Sequence, residues 1–213
     1  NIVSSQIKLH QKYGGVYPEL ASREHVKNII PVLDQALEYF LSRKSKNQLN
    51  HKSLTLRSYI DYIAVTTKPG LIGSLLVGTN TTQALSFVTG IPIIPINHLE
   101  GHIYANFIDE NPTFPILSLV VSGGHTSLYY IKNHMSFKLI GETIDDAAGE
   151  AYDKVSKMLG LGYPGGPIID ARASQFVNCD FNKNCKLKNE NSPLFPRPML
   201  NSQDFNFSFS GLK

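Results

Sequence analysis

Apolar positions recur in two different rhythms along the chain. Between Ser22 and Leu41, the residues Val26, Ile29, Ile30, Leu33, Leu37 and Phe40 fall near the i, i+3, i+4, i+7 spacing of one buried stripe, which predicts a helix. Ser22 is placed to cap its start, and Pro31, inside the pattern, is expected to kink it or to open a second helix. Arg43–Arg57 is polar and basic and reads as a surface loop. From Ile60 strands and helices alternate. Ile60–Thr66 is a strand ended by Pro69-Gly70, Leu71–Thr89 a buried helix rich in small residues, and Ile91–Ile96 a short strand. The prolines of that short strand point to an edge or strand-end position. A helix is expected over about Asn97–Ile108, and this order argues an α/β layer architecture.

Pro112 and Pro115 bracket an expected linker. Ile116–Val121 and Thr126–Lys132 are β-rich runs joined by Ser122-Gly123-Gly124-His125, a hairpin signal because Gly-Gly supplies the positive φ angles of a tight turn. Ser136–Ile140 is a third strand candidate. Asp145–Leu159 predicts a helix stopped by Gly160, with Pro164 beyond. The remainder through Asn201 reads as loop, with a Pro-rich piece (SPLFPRP) near its end.

Composition narrows the function classes. The chain has 213 residues, 42% of them apolar and 17% charged, which excludes a disordered polar chain. No apolar run approaches the ~18–20 residues of a membrane span. The 20 Lys+Arg against 17 Asp+Glu leave a net charge of +3, which permits a polyanionic partner without arguing for one. Asn1–His10 has no signal-peptide pattern and no initiating Met, so the chain is expected to start inside a longer protein. Cys179 and Cys185 have neither zinc-pair nor C-x-x-C spacing and read as thiols of a reducing cytosol.

Three constellations carry candidate chemistry. In Asn97-His98-Leu99-Glu100-Gly101-His102, a helix would set His98 and His102 on one face, where they can share a metal; two ordinary polar histidines are the alternative. A zincin needs Glu directly after the first His, whereas Glu100 sits ~200° round the helix and points away, which argues against a metallopeptidase. Val121-Ser122-Gly123-Gly124-His125-Thr126 offers backbone N–H groups to a phosphate, with Ser122 and Thr126 as extra donors, although any tight turn looks similar. In the third, Asp146, Glu150 and Asp153 form an acidic stripe beside Ala147, Ala148 and Gly149. The loop Gly162-Tyr163-Pro164-Gly165-Gly166-Pro167 could admit a nucleotide to the backbone, with Asp170 as a carboxylate for ribose hydroxyls.

The runs PELASREH (Pro18–His25), NHLEGHIYA (Asn97–Ala105), LVVSGGHT (Leu119–Thr126), IDDAAGEAYDKVSKMLGLGYPGGP (Ile144–Pro167) and FSFSGLK (Phe207–Lys213) together resemble the TsaD family. That resemblance implies an α/β fold of the actin-like ATPase (ASKHA) type with two related lobes. Residues 1–112 would form the first lobe and 113–213 the start of the second, both incomplete. It implies transfer of a threonylcarbamoyl group from threonylcarbamoyl-AMP to N6 of the adenosine 3′-adjacent to the anticodon of ANN-decoding tRNAs. By resemblance, His98 and His102 match the family's ligands for one iron ion, with zinc the alternative. Val120, Val121, Ser122, Gly123 and Gly124 match its substrate-binding turn, and Asp153, Gly166 and Asp170 its adenylate contacts. The implied partners are tRNA, a TsaB-type homologue and a TsaE-type ATPase, or a second copy in a mitochondrial homodimer. A cytoplasmic location is expected, a mitochondrial one being the alternative, and no membrane.

Family members also carry an E-T-S-C-D-E-T-like phosphate motif on an earlier strand. Past the SGLK segment they supply an Asn adenylate contact and an Asp as third metal ligand. The 213 residues are therefore expected to be the middle of a transferase, poorly soluble alone because apolar faces lack their cover. A truncated or split, non-catalytic scaffold protein is the alternative.

Overall fold

A short helical turn, α1 (Ile7–Gln11), precedes the long helix α2 (Pro18–Arg43). Proline suits the first position of a helix, where its fixed φ is already helical and its missing N–H has no partner to lose. The helix consequently starts at Pro18, and Ser22 is not its cap: Ser22 Oγ, one turn inside, donates to the Pro18 carbonyl at 2.9 Å. Pro31 lies within α2 and opens no second helix, since a proline deletes one N–H while leaving the bonds on either side in place. His10, only 4% exposed, ties α1 to the start of α2: its Nδ1 accepts from Tyr17 N–H and its Nε2 meets Gln6 Oε1.

This computed structural model describes residues 1–43, 56–176, 198–199 and 201–212. Most of the basic stretch after Arg43, both cysteines and most of the Pro-rich piece lie outside them. The described residues fall into two units, Asn1–His10 with Val16–Asn106 and Gln11–Gly15 with Phe107–Lys213.

The first unit is built on a strand–helix–strand crossover. Strand β1 (Ile63–Lys68) leads into α3 (Ile72–Thr89) and back to β2 (Ile93–Asn97), which pairs in parallel with β1, Ile63 opposite Ile93 and Val65 opposite Pro95. Pro95 has no ladder N–H, and an edge strand tolerates that. Gly90, at φ 69°, ends α3 in the left-handed conformation and donates to Ser86 O at 2.8 Å. Helix α2 packs on α3, and α3 on β1. Several large apolar side chains of α3 nonetheless face solvent, Phe87 at 91% and Val88 at 82% exposure. A short helix α4 (His98–Tyr104) follows β2 directly and passes into a 3₁₀ turn at Ala105–Phe107.

The second unit begins with an antiparallel meander of β3 (Ile116–Val121), β4 (Thr126–Ile131) and β5 (Phe137–Glu142). Val121 pairs with Thr126 and Ile116 with Ile131, so the register leaves Ser122–His125 as the connection. Along β3 burial alternates: Val120 is buried while Leu117, Leu119 and Val121 are exposed on the other face. Helices α5 (Ala148–Met158) and α6 (Gly165–Phe176) pack on one another. The segment around Phe207 adds a parallel bridge to Thr143, just beyond β5. The whole is a mixed α/β chain.

Two further expectations are corrected. Helix α5 begins at Ala148, not Asp145, because Ala147 is extended and Asp145 is held elsewhere. Gly165–Phe176 is helical rather than loop: its Gly-Gly-Pro opening has low helix propensity, but in a first turn the N–H that Pro167 lacks needs no partner.

Candidate functional site

The β3–β4 connection is a serine-closed turn. Ser122 N–H donates to His125 O at 2.8 Å, and Ser122 Oγ accepts from Gly124 N–H (3.3 Å) and His125 N–H (3.0 Å). Neither Gly123 nor Gly124 has a positive φ, so the expected tight-turn role of this pair is not what demands glycine. Close approach demands it instead. Helix α5 docks end-on against the turn, with Gly149 N–H donating to Ser122 O at 3.1 Å. A Cβ on Gly149 would lie 2.8 Å from Gly123 Cα. On the other side, no described heavy atom comes within 4 Å of where a Cβ on Gly123 or Gly124 would stand, so the turn is open there.

Thr126 is buried, at 2% exposure, and its Oγ1 accepts from Ala148 N–H at 2.9 Å. Two of the helix-start N–H groups of α5 are thus satisfied by residues of the turn and of β4, since the N-cap residue Ala147 has no side chain for the task. The Ser122 hydroxyl bonds within the turn to His125, and the Thr126 hydroxyl accepts from Ala148 N–H, so both groups expected as phosphate donors also carry structural hydrogen bonds.

The acidic stripe is also broken up. Asp146 precedes α5, and its Oδ1 binds Lys154 Nζ at 2.7 Å, while Glu150 binds the same ammonium at 2.8 Å. Those two hydrogen-bonded carboxylates, Asp146 first, raise the Lys154 pKa. Asp153 turns to a different task, accepting from Gly165 N–H at 2.7 Å and so capping α6 from twelve residues away. Gly165 is buried where a Cβ would stand 2.5 Å from Tyr152 O. Asp153 also lines a pocket of ≈ 380 Å³ with Lys12, Tyr13, Lys157 and Tyr163. Burial, and then the Asp153 charge, raise the Tyr163 pKa. Val120–Gly124, Gly166 and Asp170 are not among the residues lining this pocket. Gly166, in the first turn of α6, has open space at its Cβ position, and Asp170 is exposed further along the same helix.

His98 and His102 belong to the first unit. Asn97 caps α4 through its side-chain oxygen, which accepts from Leu99 N–H at 3.0 Å and Glu100 N–H at 3.5 Å. Leu99 and Ile103 bury one side of the helix and leave both histidines exposed. Their Nε2 atoms face one another at 3.2 Å. Two nitrogens each ~2.0–2.1 Å from a tetrahedral ion would be about 3.3 Å apart, so the pair fits a shared metal. Among the described residues no group of three His, Cys, Asp or Glu is placed to hold one.

One functional-looking residue went unnoticed in the sequence. Asp145 accepts four hydrogen bonds from the FSFSG segment: from Ser208 Oγ, Phe209 N–H (2.8 Å), Ser210 N–H (3.2 Å) and Ser210 Oγ (2.8 Å). These donors, the Ser208 hydroxyl foremost, hold its carboxyl well below the usual carboxylate range. The partners lie 63 to 65 residues away, and the only sequence trace was that both segments carry family motifs.

A model of the TsaD family, described as tRNA N6-adenosine threonylcarbamoyltransferase, matches residues 1–213. Curated proteins of that name are similar over the whole chain. The one from Persephonella marina is 49% identical over 216 residues, the one from Bacillus subtilis 50% over 213, and the one from Staphylococcus saprophyticus 48% over 213. The match covers 54–55% of each of them, so the chain spans about half the length of the curated relatives it matches.

Proposed function

Because the chain belongs to the TsaD family of tRNA N6-adenosine threonylcarbamoyltransferases, we propose that it is the part of such a transferase that holds the donor and two of its metal ligands. The reaction would move the threonylcarbamoyl group of threonylcarbamoyl-AMP to N6 of the adenosine 3′-adjacent to the anticodon in ANN-decoding tRNAs. The amine forms a C–N bond to the carbamoyl carbon, the bond to the phosphate oxygen breaks, AMP leaves, and the amine gives up one proton. The observation that carries the reading is the match at about half identity over the entire chain to proteins of that name.

The resemblance suggests a role for each residue. The Val120–Gly124 turn, open above both glycines and braced by α5, would receive the donor's phosphate region through the backbone. Asp153 and Asp170 would accept hydrogen bonds from ribose hydroxyls, and Gly166, with no side chain, would let the nucleoside approach the α6 backbone. His98 and His102 would hold one iron ion, or zinc, through the facing Nε2 atoms. When bound, the metal supplies Lewis acidity toward the threonylcarbamoyl oxygen. Glu100, two residues after His98 and ~200° round α4, is misplaced for a metallopeptidase base.

The same reading places the chain in an actin-like two-lobed fold, residues 1–112 in one lobe and 113–213 in the next. A TsaB-type homologue and a TsaE-type ATPase would be its partners in the cytoplasm. A mitochondrial homodimer is the alternative.

The test is t6A formation from purified protein, threonylcarbamoyl-AMP and an ANN-decoding tRNA transcript, read by mass spectrometry of the digested RNA. His98→Ala should lower product at least about 100-fold and release the bound iron or zinc, with the circular dichroism spectrum unchanged. Product formation indifferent to both His98→Ala and His102→Ala would refute the metal assignment. No product from a folded, metal-loaded wild type would refute the transferase reading and favour a scaffold.

A further inference from the structure

The pocket beside Asp153 holds more positive charge than a ribose site calls for. Its walls carry Lys12 and Tyr13 from the loop after α1, and Lys157 and Tyr163 from the end of α5 and the loop beyond. Gly14 shapes the loop wall: at φ +67° it closes a tight turn, its N–H donating to Gln11 O at 3.2 Å. The Lys157 side chain lies along that turn, with Cδ, Cε and Nζ 3.8–3.9 Å from where a Cβ on Gly14 would stand. Lys157 is exposed, and its ammonium stands at the pocket wall beside Gly14.

Among the described residues, the two cations also lack a carboxylate partner. Lys154, one turn earlier on α5, is taken up by Asp146 and Glu150, whereas no described carboxylate lies within salt-bridge distance of Lys12 or Lys157. The pocket's own carboxylate, Asp153, is instead bonded to Gly165 N–H. None of the Val120–Gly124 residues lines the pocket, so these lysines are not part of the turn assigned to the donor's phosphate. Two ammoniums without a carboxylate partner among the described residues, flanked by two tyrosine rings, are the elements of a single-stranded RNA contact, charge for a phosphate and a flat face for a base.

We propose that Lys12 and Lys157, with Tyr13 and Tyr163, form a subsite for a backbone phosphate and neighbouring base of the acceptor RNA. The inference rests on the transferase reading for the identity of the RNA, and it adds the surface that holds it next to Asp153. The lysines neutralise the phosphate and the rings stack on an unpaired base, so the contact is salt-sensitive and favours a loop over a duplex.

The experiment is a fluorescence titration of the chain with a labelled anticodon stem-loop RNA of an ANN-decoding tRNA, across a series of salt concentrations. Lys12→Gln and Lys157→Gln should each weaken binding about 3–10-fold and lower the slope of log K against log salt by roughly 0.7–0.9. Lys138→Gln, which removes an exposed charge from β5 of the same unit, should change neither. Affinity of the double variant for threonylcarbamoyl-AMP should equal that of the wild type. An unchanged salt slope in the double variant, an equal loss in Lys138→Gln, no RNA binding by the wild type, or a loss confined to the adenylate would each overturn the proposal. Lysine-dependent RNA binding together with no t6A product would instead sink the transferase reading alone.

Discussion

Replacing Gly149 by alanine sets two physical rules against one another. In an ordinary helix the change stabilises by about 1 kcal/mol, because glycine has the larger backbone entropy to lose. Here the new Cβ would stand 2.7 Å from Ser122 O and 2.8 Å from both Gly123 N and Gly123 Cα. All three neighbours are backbone atoms, in a turn already closed by Ser122 and bonded to Gly149 N–H. Relief requires the turn and α5 to part, stretching the Gly149–Ser122 bond. Overpacking of this kind costs about 1–3 kcal/mol, which outweighs the propensity gain.

Gly101→Ala is the control. It also lies inside a helix, α4, but its Cβ would meet only Ile96 Cγ2 at 3.8 Å, an ordinary contact, so propensity should act and stabilise by about 0.5–1 kcal/mol. Urea unfolding followed by far-ultraviolet circular dichroism reads both as midpoint shifts at constant slope. The signs should be opposite: Gly149→Ala earlier, Gly101→Ala later. A Gly149→Ala protein as stable as the wild type would refute the argument that the turn and the helix are in obligate contact.

Asp145 gives a pH signature. Its folded pKa is depressed by Ser208, Phe209 and Ser210, so it contributes stability above its unfolded value near 3.8, and that contribution is lost as pH falls toward the folded value. Asp145→Ala should therefore flatten the acid limb of stability against pH below about pH 4 while leaving its shape at neutral pH intact; an unaltered acid limb would count against the clamp. Asp153 has one observed role, capping α6, and one proposed role, holding the donor, and two substitutions with calorimetric titration separate them. Asp153→Asn keeps an acceptor for Gly165 N–H and should cost little stability, whereas Asp153→Ala uncaps α6 at about 1 kcal/mol. Both should weaken threonylcarbamoyl-AMP by about 1–3 kcal/mol, and equal adenylate affinity in wild type and Asp153→Ala would remove Asp153 from the donor site.

Much of this chain was legible wherever a local rule governs. The stripe Val26–Phe40 falls inside α2 because a 3.6-residue period can be read residue by residue, although Val26, Ile30 and Phe40 are exposed rather than buried as expected. Gly90 ends α3 through its own left-handed conformation, and the β3–β4 hairpin falls where two β-rich runs flank Gly-Gly. The His98/His102 pairing followed from i, i+4 spacing alone, and the structure sets their nitrogens face to face.

Other features depend on partners distant in sequence. Helix α5 starts at Ala148 because Thr126, 22 residues earlier, bonds its N–H; α6 starts at Gly165 because Asp153 does the same. The Ser122 hydroxyl looked available to a ligand until its bonds across the turn were seen, and Asp145 looked like the first residue of a helix until Ser208 and Ser210 claimed it. Sequence by itself determined most of the segments that are helix or strand, α6 excepted, and which side chains share a face, since periodicity and backbone preference are properties of neighbouring residues. Only the tertiary structure decided where α5 and α6 begin, which polar groups are spoken for, and that Lys157 faces a pocket while Lys154 is paired. Each of those outcomes is a hydrogen bond, an ion pair or a close approach between groups that chain order does not place together.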